Sequence, residues 1–138
     1  MDNTLDENLV QKVKDSYGRC LKDGNLIETF YNFFLNSSEE VAAKFADTDF
    51  EQQYKLLKHG LNLMILYANQ NVVGKAGLTR IQETHNRYHM NIEPYFYDLW
   101  RESLIKAVEK HDTKFDEEVK IAWQKLVSFG SDYIIAGY

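Results

Sequence analysis

The chain has 138 residues, of which 44% are hydrophobic and 14% aromatic, so it can build one packed core but is too short for two. Its formal net charge of −5 and the lack of a basic stripe argue against nucleic acid and against an anionic membrane surface as partners. The first residues are acidic and polar, no apolar run is long enough for a membrane span, and Cys20 is the only cysteine. We therefore expect a single domain over residues 1–138 and a reducing compartment, the cytoplasm.

Few residues of the chain break helices, because proline occurs once and glycine seven times. The apolar residues recur at helical spacing, which predicts an all-α protein of six or seven helices with no convincing strand. In chain order, the predicted helices run from about Leu5 to Leu21, from Leu26 to Leu35, from a cap at Ser37 to Phe45, from Asp49 to Asn69, from Leu78 to Tyr88, from Pro94 to Lys110, and onward from a cap at Asp112-Thr113.

The first two predicted helices should pack differently. The first carries apolar residues on a four-residue rhythm, which indicates one buried face made of Leu5, Leu9, Val13, Tyr17 and Leu21. The second, LIETFYNFFL, is apolar on all sides. We expect that helix to lie across the core.

Capping signals precede the third and fourth helices. Ser37 with Glu40, and Thr48 with Glu51, have the spacing of capping boxes, in which a hydroxyl accepts a hydrogen bond from a first-turn amide. The acidic runs of the chain, including residues 116–118, also fall at helix starts, where the helix dipole favours negative charge. These acidic residues are therefore interpreted as structural.

The fourth helix is the longest segment of regular apolar spacing near the middle of the chain. Its inner face is predicted to contain Phe50, Gln53, Leu57, Leu61 and Met64 or Ile65. Asn69-Gln70-Asn71 and Gly74 are expected to break it. Pro94 suits the first position of a later helix, where its missing N–H costs no hydrogen bond.

The histidines are the residues most able to bind a metal. The chain has four, of which His85 and His89 are four residues apart and can share one helix face as zinc ligands do. No third ligand has a suitable spacing, and no histidine stands in the Glu-x-x-His pattern of di-iron bundles. A helical bundle that binds metal through these two histidines remains an alternative.

The order of several segments resembles the bacterial single-domain globins over nearly the whole chain. These segments are FYNFF in the second helix, Phe45 after a short helix, TDFEQQ opening a long helix, His85 at the end of another, HNRYHMNIEPYFYDLW, and the region of Trp123. Gln53 and His85 are 85 − 53 = 32 residues apart. With helix–turn–helix geometry, this interval lets the two side chains face each other across a flat ligand.

The resemblance implies a globin-like fold of six to eight helices around a haem pocket. It implies a b-type haem whose iron is bound by His85 as a neutral imidazole. Phe45 would pack on the porphyrin where the chain turns. Tyr97 and Trp100 would fill the side of the haem on which the histidine lies.

On the opposite side, the resemblance implies a gas-binding pocket. Tyr31 would project over the iron, Gln53 would enter from the long helix, and Leu57 would form an apolar wall beside them. The implied ligand is oxygen or another diatomic gas, nitric oxide or carbon monoxide. Helix phase read from sequence can slip by one residue, so that Gln52 is the alternative to Gln53.

The resemblance leaves the physiological role open between oxygen storage or transport, gas sensing, and nitric oxide detoxification. An enzymatic activity as a nitric oxide dioxygenase, or a peroxidase-like side activity, would need an external reductant. A globin-fold regulatory module that has lost haem and binds partners is a further alternative. The aromatic-rich helical surface makes a homodimer plausible.

Overall fold

The computed structural model describes residues 5–138. Over these residues the chain forms seven α-helices and no strand, which confirms the all-α prediction. The helices are α1 (Glu7–Asp23), α2 (Leu26–Leu35), α3 (Glu39–Lys44), α4 (Phe50–Ala68), α5 (Val72–His85), α6 (Pro94–His111) and α7 (Glu117–Ile135). Among them, no helix combines the length and the apolar character that a membrane crossing needs.

The caps of α3 and α4 lie one residue later than predicted. Ser38, not Ser37, caps α3, and its hydroxyl accepts from two first-turn amides at 3.0 and 3.3 Å. Asp49, not Thr48, caps α4, and its carboxylate accepts from two first-turn amides at 3.1 and 3.4 Å. The Ser37 hydroxyl instead donates to the carbonyl of Phe34, where it satisfies the end of α2.

The buried face of α1 contains Val13 and Tyr17, as predicted, but is rotated from the predicted face toward Val10 and Cys20. Val10, Val13, Tyr17 and Cys20 are buried, whereas Leu21 is 45% exposed. The buried positions alternate in steps of three and four residues, because a straight helix has 3.6 residues per turn. Residues spaced by four throughout therefore rotate progressively around the helix, and the last of them no longer faces the core.

The prediction that Gly74 breaks a helix is wrong. Gly74 lies within the first turn of α5. The break is confined to residues 69–71, and the side chain of Asn71 caps α5 by accepting from two of its amides. A Cβ atom added at Gly74 would lie 2.5 Å from the backbone nitrogen of Tyr67. The missing side chain thus lets α5 start in close contact with the end of α4.

Asp112 ends α6 and does not cap α7, which begins after Asp116. The Asp112 carboxylate is fully buried and accepts from the Arg19 guanidinium at 2.5 and 2.9 Å. The Ser16 hydroxyl donates to the same carboxylate at 2.5 Å, and the indole nitrogen of Trp123 donates to Ser16 at 2.8 Å. The predicted cap at Asp112 was wrong because this network draws its side chain into the core.

The core lies where α2 packs along α6, α4 packs along α5, and α7 crosses α1, α4, α5 and α6. As predicted, α2 runs across this core with most of its apolar residues buried. The largest fully enclosed side chains are Trp123, Phe30, Leu26, Leu61, Leu78, Leu104 and Leu126. The helices that carry the predicted site residues are therefore fixed by one continuous apolar interior.

Candidate functional site

Tyr31 and Gln53, two predicted site residues, are in direct contact. The Gln53 amide nitrogen on α4 donates a hydrogen bond of 3.0 Å to the phenol oxygen of Tyr31 on α2. Tyr31 is only 3% exposed. Four other aromatic rings surround it, with centroid distances of 4.8 to 5.9 Å, namely Phe30, Phe45, Phe50 and Tyr54.

The phenol of Tyr31 stays protonated at neutral pH. Burial raises its pKa to about 12, although the hydrogen bond from Gln53 acts in the opposite direction. The phenol oxygen accepts the hydrogen bond that the Gln53 amide donates. Within residues 5–138, no other side chain or carbonyl hydrogen-bonds to this phenol, so its O–H hydrogen is free to donate.

The two neighbouring glutamines have different surroundings. Gln53 is half-buried and in contact with Tyr31, whereas Gln52 is exposed. One residue along a helix rotates the side chain by about 100°. The residue that faces Tyr31 is thus Gln53 and not the alternative.

His85 is the last residue of α5, which ends three residues before the predicted boundary at Tyr88. Its ring is half-buried, and Nδ1 lies 3.0 Å from the hydroxyl oxygen of Thr84. Burial lowers the pKa of the imidazole. A hydrogen bond with the backbone of Ile81 raises the pKa, but its effect is the smaller of the two. The imidazole is therefore neutral at physiological pH, and Nε2 is the nitrogen left for a metal ion.

The remaining predicted site residues lie just after α3, on α4 and on α6. Phe45 follows the end of α3 and is half-buried, with its ring centroid 5.9 Å from that of Tyr31. Leu57 and Tyr97 are buried, and burial raises the pKa of the Tyr97 phenol. Trp100 is half-buried, with its ring centroid 6.0 Å from that of Phe30.

Two aromatic residues of this region were not named as site residues from the sequence. Phe50 and Tyr54 stand four residues apart on α4, and their ring centroids are 6.0 Å apart. Both rings also pack against Tyr31. Their i, i+4 spacing was the available signal, since such residues are neighbours on a helix surface.

Several apolar side chains around these residues pack on the core yet remain only partly covered. They belong to the chain between α3 and α4, to α4 and α5, to the chain that leads into α6, and to α6 itself: Phe45, Phe50, Tyr54, Ile81, Ile92, Leu99 and Trp100. Two of them lie close to the neutral imidazole, because Ile81 precedes His85 by one turn of α5 and the amide of Ile92 donates to the carbonyl of His85. Incompletely covered apolar side chains near such a ring fit an apolar cofactor with a metal centre. The residues present therefore suit a planar prosthetic group.

The other histidines have ordinary surroundings. His59 is exposed, and His89 is exposed with Nδ1 2.8 Å from the side-chain oxygen of Asn86. His111 is buried, with Nε2 2.6 Å from the Thr29 hydroxyl. In the part of the chain that the structure describes, no three His, Cys, Asp or Glu side chains are grouped as metal ligands. This arrangement gives no support to a zinc site at His85 and His89.

Comparison with known proteins identifies the family. The sequence profile described as Globin matches residues 14–133. No curated protein sequence matches the chain significantly. A crystal structure of a protein from Pseudomonas aeruginosa PAO1, described as structurally highly homologous to a human hemoglobin, superposes with a TM-score of 0.91 at 35% identity. The match covers 94% of this chain and 98% of that one. The chain belongs to the globin family, whose members in general bind haem.

Proposed function

We propose that this globin binds b-type haem through Nε2 of His85 and reversibly binds a diatomic gas, oxygen in the first place, on the side of Tyr31 and Gln53. The observation that carries the proposal is the buried Tyr31–Gln53 hydrogen bond, which fixes a phenol and leaves its hydrogen free. The likeness to a protein compared with a human hemoglobin supports it further.

His85 suits the role of iron ligand for two reasons. Its pKa is lowered by burial, so the ring is neutral and has a lone pair available. Nδ1 is held by the Thr84 hydroxyl at 3.0 Å, and this second contact orients the ring. Haem supplies the iron at which a gas can bind.

Tyr31 and Gln53 suit the role of polar contacts to that gas. A dry pocket strengthens a hydrogen bond from the phenol to a ligand that carries partial negative charge, to about 1 kcal/mol or more. Phe30, Phe34 and Leu57 are buried in the same part of the core and would keep bulk water away from a bound gas. The expected consequence is slow oxygen release, which suits storage or tight capture of the gas.

The test is the ultraviolet-visible spectrum of the purified ferrous protein with and without carbon monoxide. We expect a Soret band that shifts when carbon monoxide is added. His85→Ala should lose the wild-type band or shift it, whereas His89→Ala, an exposed histidine four residues away, should not. A wild-type protein that remains colourless after reconstitution with haem would contradict the proposal and favour the haem-less regulatory module.

A further inference from the structure

His111, the last residue of α6, is buried and joins three helices through its two ring nitrogens. Nδ1 is hydrogen-bonded to the carboxylate of Asp23, the last residue of α1, and Nε2 lies 2.6 Å from the hydroxyl oxygen of Thr29 on α2. An ionised carboxylate can only accept a hydrogen bond, so Nδ1 carries the ring hydrogen. In the neutral ring, Nε2 therefore accepts the hydrogen bond that the Thr29 hydroxyl donates.

The backbone that carries His111 is firmly held. The next residue, Asp112, accepts hydrogen bonds from Arg19 and Ser16 of α1, and Ser16 accepts from the indole of Trp123 on α7. A buried polar network in which every member has a partner makes its surroundings rigid. The end of α6 is thus fixed against α1 and α7, and His111 presents Nε2 to α2 from a fixed position.

The first turn of α2 has no capping side chain. Asn25, the residue before α2, makes no capping hydrogen bond through its side chain, whereas the residues before α1, α3, α4, α5 and α7 do. Within residues 5–138, the bond between Thr29 and His111 is the only side-chain hydrogen bond between α2 and α6. Apolar packing has no preferred direction, so this bond is the contact that specifies how α2 is rotated against α6.

The hydrogen bonds of Thr29 and Tyr31 lie on nearly opposite faces of α2. Two residues along an α-helix correspond to a rotation of about 200° and a rise of about 3 Å. Thr29 is held from α6, whereas Tyr31 is held from α4 by the amide of Gln53 at 3.0 Å. A rotation of α2 that breaks the first contact therefore also displaces the phenol in the second.

We propose that Thr29 and His111 are positioning residues that set the rotation of α2 and thereby the place of the Tyr31 phenol. Asp23 acts with them, because it keeps the hydrogen of the His111 ring on Nδ1 and leaves Nε2 for Thr29. Without the Thr29 hydroxyl, α2 would keep its apolar contacts but would be free to turn, and the phenol would move relative to Gln53. This inference rests on the proposed role of Tyr31 as a hydrogen-bond donor to the bound gas.

The first test follows the side-chain amide resonances of Gln53 by NMR, because these protons report the hydrogen bond to Tyr31. Thr29→Val removes the hydroxyl from a side chain of nearly the same shape and should shift the resonances by more than their line width. Thr29→Ser keeps the hydroxyl and should leave them at the wild-type positions. Thr113→Val, at an exposed threonine two residues after His111, is the matched control and should also leave them unchanged. Unshifted resonances in Thr29→Val, or equal shifts in Thr29→Val and Thr29→Ser, would overturn the proposal.

The second test measures oxygen dissociation by stopped flow. Thr29→Val should speed it about two- to fivefold, because a displaced phenol donates a weaker hydrogen bond, while Thr29→Ser should keep the wild-type rate. Combining Thr29→Val with Tyr31→Phe should give the rate of Tyr31→Phe alone, since Thr29 acts only through the phenol. Multiplied effects in the double variant, or shifted Gln53 resonances with an unchanged rate, would refute the positioning role. Failure to bind haem would refute the proposed function alone, because the Gln53 resonances test the position of the phenol without haem.

Discussion

The Gln53 amide donates to the Tyr31 phenol oxygen at 3.0 Å and so joins α4 to α2 across 22 positions of sequence. The direction of this hydrogen bond matters for function. An amide that donates to the phenol oxygen leaves the phenol hydrogen for a ligand, whereas the reverse orientation would consume it. The pair is therefore arranged to offer one hydrogen-bond donor from a buried phenol.

Tyr31→Phe should speed oxygen dissociation roughly tenfold, because the loss of about 1.4 kcal/mol corresponds to one decade in rate. The measurement is stopped-flow displacement of oxygen by carbon monoxide. Carbon monoxide acquires less negative charge than oxygen when bound, so its own dissociation should change less. An oxygen dissociation rate equal to that of the wild type would contradict the proposal that Tyr31 donates a hydrogen bond to bound oxygen.

The two glutamines offer a matched pair of variants. Gln53→Leu removes the donor that fixes the Tyr31 phenol and should change oxygen dissociation severalfold. Gln52→Leu alters an exposed side chain one position earlier and should leave the rate within experimental error. If the Gln52 variant has the larger effect, the assignment of the inner face of α4 is wrong.

Asp112→Asn should lower the free energy of unfolding at pH 7 by about 2 kcal/mol, because it weakens charged hydrogen bonds to a fully buried carboxylate. Burial opposes ionisation of Asp112, but hydrogen bonds from Arg19, Ser16 and the Lys114 amide outweigh it and hold its pKa below the ordinary value. A lowered pKa stabilises the fold above pH 4, and this contribution disappears as pH falls through the folded pKa.

The difference in unfolding free energy between wild type and Asp112→Asn should therefore shrink below about pH 4. Urea denaturation at several pH values measures this difference. Asp98→Asn is the control, because Asp98 is 68% exposed in its ion pair with Arg101 and should change stability by less than about 1 kcal/mol. A difference that stays constant with pH would contradict the role of the Asp112 carboxylate.

Gly74→Ala should destabilise the protein by about 1–3 kcal/mol, because the added Cβ would lie 2.5 Å from the backbone nitrogen of Tyr67. Gly60→Ala is the contrasting variant. A Cβ at Gly60, inside α4, meets nothing within 4 Å and should stabilise by about 0.5–1 kcal/mol. Equal effects of the two substitutions in urea denaturation would show that α4 and α5 do not approach this closely.

The helices and their order could be predicted because apolar periodicity is a local property. The caps were misplaced where two neighbouring residues were both suitable, as with Ser37 and Ser38. The structural role of Asp112 was missed because its partner Arg19 is 93 residues away, and sequence spacing gives no sign of such a pair. Local pattern therefore predicts the elements but not the polar contacts between them.

The same limit applies to the candidate site. The resemblance to globins named Tyr31 and Gln53, and the structure brings them into contact. The resemblance to globins did not indicate that the Tyr138 phenol donates to the side chain of Asn91, because that contact depends on the fold of the corner after α5. That corner begins earlier than predicted, since α5 ends at His85 and its last carbonyls bind corner amides.

The most direct measurement of whether His85 binds the haem iron is rescue of His85→Gly with free imidazole. The substitution leaves room for the lost ring, so imidazole can enter and occupy its place. We predict that the ferrous spectrum of His85→Gly differs from that of the wild type and returns to it as imidazole is added. A His85→Gly protein that keeps the wild-type spectrum without imidazole would contradict the account.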